Sequence, residues 1–115
     1  MAKSNPFVGL WYIYDMEMWD EDYFDMEVKA YVEVQDNSNG DFQFGLVSGS
    51  FYGEVEIIGD VTRLSFSWEG MDECDEVNGR GWIQLADGDP DEIEGMIDIM
   101  QGDRSRFNAK RADES

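Results

Sequence analysis

The sequence predicts an all-β domain of eight short antiparallel strands closed into an up-and-down barrel, with a β-sandwich as the alternative. Three observations carry this. Apolar residues recur with a period of two in segment after segment, the signature of half-buried strands. Gly, Asp, Asn and Ser clusters divide those segments at short intervals. No helical periodicity runs long enough for a β-α-β crossover, so neighbours in sequence should be neighbours in the sheet. With 115 residues, 42% hydrophobic and 14% aromatic, the chain fits one domain, 1–115, with one aromatic-rich core.

The elements follow in order. The first strand, 7–15, reads FVGLWYIYD. After it, Met16, Trp19 and Tyr23 are spaced along one face of a one- or two-turn helix that Asp15 could cap. Such a helix would lie over the barrel mouth as a lid, with Trp19 shielding the interior. The second strand, 26–35, sets Val28, Ala30, Val32 and Val34 on one face, and DNSNGD then turns the chain. The third, 41–48, alternates Phe42, Phe44 and Leu46 against polar positions, and Ser-Gly-Ser ends it. The fourth, 51–58, opposes Val55 and Ile57 to Glu54 and Glu56 before a tight turn at Gly59-Asp60. In the fifth, 61–69, Leu64, Phe66 and Trp68 share a face. An acidic loop, 70–79, leads to the sixth strand, 80–86, which carries Trp82; DGDPD closes it. The seventh, 92–101, opposes Ile93, Ile97 and Ile99 to Glu94 and Asp98, and the eighth is RSRFNAKR, 104–111. An eight-stranded closed barrel is just wide enough to be filled by side chains or to hold one small ligand.

Gly9-Leu10-Trp11 on the first strand and Arg106, Lys110 and Arg111 on the last resemble the pattern of small calycin barrels, the lipocalins and their relatives. The resemblance implies that a basic residue of the last strand packs across Trp11. The stretches GMDECDEVNGRG and GDRSRFNAKR also resemble a short bacterial family of no established function, which supports the fold and implies little about activity.

In an up-and-down barrel alternate connections share a mouth, so Met16–Asp25 and Gly70–Gly79, the longest and most acidic, fall at the same end. A net charge of −19 repels phosphate backbones and anionic bilayers, which excludes nucleic acid and membrane surfaces as partners. It favours basic protein faces, discourages self-association and so predicts a monomer. One cysteine, Cys74, forms no internal disulfide, and the chain shows neither a signal-peptide pattern nor an apolar run of bilayer length, which predicts a cytoplasmic protein. The acidic loops lack the EF-hand spacing, and no cofactor or metal is expected.

Histidine is absent, Cys74 is surrounded by acids that disfavour its thiolate, and no carboxylate pair stands out as buried. An enzyme is therefore not expected. Arg104, Arg106, Lys110 and Arg111 are expected to pair with Glu94, Asp98 and Asp15 across neighbouring strands; read functionally, they form a small basic stripe for an anion. Two functions remain. In one, a small apolar or aromatic ligand sits in the barrel among Trp11, Phe42, Phe44, Phe66, Trp68 and Trp82 beneath Trp19 and Tyr23. In the other, the acidic mouth is a protein-interaction module for a basic partner, or a nucleic-acid mimic, with Trp19, Tyr23 and Phe24 as anchors.

Overall fold

The computed structural model describes residues 7–35, 37–86 and 89–112. Eight strands, β1 (Gly9–Met16), β2 (Tyr31–Val34), β3 (Asn39–Phe44), β4 (Val47–Ile58), β5 (Val61–Asp72), β6 (Asp75–Ala86), β7 (Asp89–Ile99) and β8 (Arg104–Arg111), follow one another around a closed antiparallel barrel. β1 pairs with β2 on one side and β8 on the other, which closes the sheet. One short helix, α1 (Glu21–Phe24), lies between β1 and β2.

The inward set is apolar and tightly buried: Trp11, Ile13, Val32, Phe42, Phe44, Phe51, Leu64, Phe66, Trp68, Ile83, Ile93, Ile97 and Phe107 all belong to the core. So many large rings fit because the strands beside them carry inward glycines. A Cβ on Gly49 would stand 2.6 Å from the Trp68 ring, and one on Gly81 would stand 2.6 Å from Phe66. Gly95 makes the same allowance for Phe107 at 2.6 Å. Each ring thus lies on the bare backbone of its neighbour, the packing by which an aromatic covers a strand glycine.

The ends are closed differently. At the end where β1 begins, Phe7 is fully buried and its carbonyl accepts the Trp11 indole N–H at 2.8 Å. At the other end α1 caps the barrel, with Phe24 buried.

Several boundaries depart from expectation. The second strand starts at Tyr31 rather than 26, and Val28 is exposed. The Asp25 carboxylate accepts the Ala30 N–H at 2.8 Å, which holds the intervening residues in the lid connection. The third turn is not Ser48–Ser50, which lies inside β4; it is the two-residue turn Gly45-Leu46, with Gly45 at φ 58. The acidic stretch 70–79 is no loop either. β5 and β6 run on to Asp72 and Asp75, joined by Glu73-Cys74 with Glu73 at φ 60. A closed barrel needs its strands staggered, and the three 12-residue strands β4, β5 and β6 supply that stagger as hairpins that overhang the mouths.

Candidate functional site

Of the eight residues that the sequence nominates for a ligand, the structure places five inside, Phe42 among them. Trp11, Phe44, Phe66 and Trp68 point into the barrel and are buried. Phe42 meets Trp68 edge-on at 5.0 Å between ring centroids and lies 6.0 Å from Phe44, while Phe51 lies 4.7 Å from Phe66. These are ordinary aromatic packing distances, so the rings fill this section of the barrel with one another. Trp19 and Tyr23 sit in the lid, half-buried: Trp19 lies 5.1 Å from Phe44 and 5.9 Å from Tyr23.

Trp82 corrects the expectation. It stands on the outer wall, opposite Ser65 and Met96 in register, with the Arg63 guanidinium 4.2 Å over its ring. Ile83 takes the inward position instead. Alternation alone gives two faces and does not say which is inside. Here the inner face of β6 includes Gly79 and Gly81 because the rings of Trp68 and Phe66 occupy that space.

The lid is also built differently. β1 continues through Met16, and α1 begins after Asp20 (φ −86), not at Asp15. A bulge at Tyr14 shifts the register between Ile13 and Asp15, so that Met16 turns inward and is buried. The lid is fastened along its length. Gly45 N–H donates to the Phe24 carbonyl at 2.9 Å and Met18 N–H to Ser105 Oγ at 3.1 Å. The Tyr23 hydroxyl accepts Leu46 N–H at 3.3 Å. Glu73 N–H donates to the Leu46 carbonyl at 3.0 Å, tying the β5–β6 hairpin tip to the β3–β4 turn. The two acidic segments thus share one mouth. Phe24, expected as an exposed anchor, is core.

Beside Val28, the exposed apolar side chains at that mouth are methionines. Met18, Met26, Met71 and Met100 are all exposed, in the β1–β2 connection, on the β5–β6 hairpin and in the β7–β8 turn. They stand among Glu17, Asp20, Glu21, Asp22, Glu27, Glu73, Cys74, Asp75 and Asp103, all exposed. Among the described residues no group of three or more Asp, Glu or Cys side chains converges as metal ligands would.

Three concavities lined by described residues open on the outer wall. One of about 220 Å³ lies over β2 to β5, between Tyr31, Asp41, Ser48 and Glu69. Another of about 330 Å³ lies on the β5–β6 hairpin beside Met71 and Glu76. The third, about 370 Å³, runs over β1 and β8 beneath the lid, bounded by Tyr12, Tyr14, Glu21, Asp25, Lys29 and Lys110. Near them two tyrosines are shifted. The Tyr14 hydroxyl donates to Glu92, and that bond, with partial burial and the surrounding acids, pushes its pKa up to about 12. Burial and the neighbouring Asp41 raise Tyr31.

Among the basic residues of β8, Arg104 pairs with Asp98 at 3.7 Å as expected. Arg111 pairs with Asp91 at 3.2 Å, an acid the sequence reading did not nominate, and Glu94 accepts instead from Gln84 at 2.9 Å. The Arg111 guanidinium lies 4.2 Å over the Trp11 ring and donates to the Val8 carbonyl at 2.9 Å. A Cβ on Gly9 would come within 2.9 Å of that guanidinium, so the glycine two residues before the tryptophan keeps the approach open. This is the contact that the Gly-x-Trp resemblance implied. No described helix is long and apolar enough to cross a membrane. The exposed methionines and the lysine-bearing groove escaped the sequence reading. The only signals were Tyr12 and Tyr14 on the first strand and methionines scattered through acidic segments. Compared with known proteins, the chain matches no family model, no curated protein and no solved structure.

Proposed function

We propose that this calycin-like barrel is a non-enzymatic protein-interaction module whose acidic, methionine-bearing mouth receives a basic amphipathic segment. One observation carries the reading: four exposed methionines lie on connections at the lid mouth, among segments rich in exposed carboxylates. Methionine is the flexible, polarisable apolar side chain that adapts to varied partners, and carboxylates around it select cationic ones. A basic amphipathic helix brings both complements, an apolar face for the methionines and lysine or arginine for the rim. The absence of histidine supports a binding role over catalysis, and the Arg111–Trp11 stack supports the calycin likeness. Monomeric, cytoplasmic action accords with the net charge and the single cysteine.

The test is titration of the protein with a Lys/Leu amphipathic helical peptide and with a scrambled peptide of the same composition. The amphipathic peptide should bind more tightly, and its affinity should fall about tenfold or more between low and moderate salt. Replacing Met18, Met26, Met71 and Met100 together by Gln should weaken it further. Equal binding of the scrambled peptide would leave only charge and sink the reading.

A second reading, a small ligand inside the barrel, rests on one observation. The Trp68 indole N–H is buried with no acceptor among the described residues, and a buried donor left unpaired costs about 1–3 kcal/mol. A ligand would need to bring an acceptor to that point. Native mass spectrometry of freshly purified protein should then show an added mass that survives high salt, and a clean apo mass would count against it.

A further inference from the structure

The groove over β1 and β8 gathers positive charge on a strongly negative molecule. Lys29 and Lys110, two of only eight basic residues in the chain, stand on either side of Tyr12. The Lys29 Nζ lies 4.3 Å from the centre of the Tyr12 ring, and Lys110 is directly opposite Tyr12 in the β1–β8 register. Neither ammonium has a carboxylate within 4.0 Å among the described residues, and the Lys110 Nζ lies 5.2 Å from the centre of the Tyr14 ring.

The reason is structural. Glu92 faces Lys110 in the β7–β8 register, but its carboxylate accepts the Tyr14 hydroxyl, which the bulge at Tyr14 brings to the outer wall. Asp25 borders the same groove, yet one of its oxygens is held by the Ala30 N–H at 2.8 Å. Glu21, on the lid helix, borders it from above. The groove therefore presents two ammoniums around a tyrosine floor, beside the Arg111 guanidinium that Asp91 holds at 3.2 Å, with two carboxylates at the lid rim and about 370 Å³ between them, a volume in the range of small-molecule sites.

The geometry points to a site for a small zwitterion of the amino-acid class, its carboxylate between Lys29 and Lys110 and its ammonium toward Glu21 and Asp25. A plain anion would have to enter against a net charge of −19 and past the rim acids. A plain cation would meet the lysines. A molecule that is neutral overall but carries both charges avoids the long-range repulsion and satisfies both ends. Tyr12 supplies a face for its apolar body. The site shares Glu21 with the acidic mouth but none of its four methionines.

The test is calorimetric and NMR titration of the full chain with three probes of matched size: phenylalanine, 3-phenylpropionate, which lacks the ammonium, and 2-phenylethylamine, which lacks the carboxylate. Phenylalanine should bind about tenfold or more tightly than either analogue, with amide shifts confined to β1, β8 and the lid. The double variant K29M/K110M, whose thioether stems still cover the tyrosines, should lose that binding about tenfold or more while amide shifts outside the groove show the barrel retained. E21Q should narrow the preference for phenylalanine over 3-phenylpropionate. Equal or tighter binding of either analogue, shifts mapping elsewhere, or no saturation by about 10 mM phenylalanine would overturn the assignment.

Discussion

At the scale of single residues, the core depends on atoms that are not there. A Cβ on Gly79 would overlap the Asp98 carbonyl, which is backbone and cannot turn aside. Gly79→Ala should therefore cost about 2–4 kcal/mol in urea denaturation, at the upper end of overpacking effects. Gly59 is the control. Nothing lies within 4 Å of its added Cβ, and only its φ of 62 opposes a side chain, so Gly59→Ala should cost about 1 kcal/mol. Tyr14 gives a second residue-scale expectation. The Glu92 carboxylate holds its proton on, raising its pKa from 10.0 to about 12. A group bound more tightly to its proton in the folded state adds stability below its unfolded pKa and loses it above. The Tyr14–Glu92 contribution should thus be constant below pH 10 and vanish as pH rises toward about 12. Tyr14→Phe should flatten that alkaline loss, measured by denaturation across this window, and should remove one late-titrating phenol from the ultraviolet titration.

At the scale of elements, the strands were legible and their edges were not. Phe42, Phe44, Leu64, Phe66 and Trp68 alternate cleanly because each faces the core while its neighbours face water, and that periodicity survives in the sequence. It fails where the stagger of the barrel carries a hairpin beyond the core. From Gly70 to Gly79 both faces of β5 and β6 lack a continuous apolar row, so a strand pair reads as a loop. It fails again at Tyr14, where one extra residue reverses the faces and sends Met16 inward. Trp82 misleads for a third reason: an aromatic stacked under Arg63 on the outer wall has the composition of a core residue. Trp82→Ala should accordingly cost much less than Trp68→Ala, about 1 kcal/mol against about 3–5 in chemical denaturation. The lid can be tested as an element. Gly45 lies against the Tyr23 ring with no room for a Cβ, so Gly45→Ala should push α1 off the β3–β4 turn. Hydrogen exchange should then quicken at Gly45 and Leu46, whose N–H groups donate to the lid, while β5 to β7 amides remain protected.

At the scale of the whole molecule, charge works against the fold that the aromatic core favours. Asp and Glu number 27 against 8 Lys and Arg. Among the described residues only two ion pairs join them, both on the surface and worth little. Four of the cations lie over aromatic faces, Arg111 of the Asp91 pair among them: Lys29 over Tyr12, Arg63 over Trp82, Lys110 by Tyr14 and Arg111 over Trp11. The remaining carboxylates repel one another around a barrel whose core is apolar, and bulk salt must screen them from outside. Potassium chloride should therefore raise the melting temperature steadily as the Debye length falls from about 30 Å toward about 8 Å. General screening makes a further demand: calcium or magnesium chloride at matched ionic strength should raise it to a similar extent. A markedly larger rise with either divalent ion would mean that carboxylates at the mouth draw together around it, an arrangement not held among the described residues. The same repulsion bears on the proposed basic partner. A basic segment that neutralises the mouth should stabilise the barrel most where salt is lowest, so the melting shift it causes should shrink as potassium chloride is added.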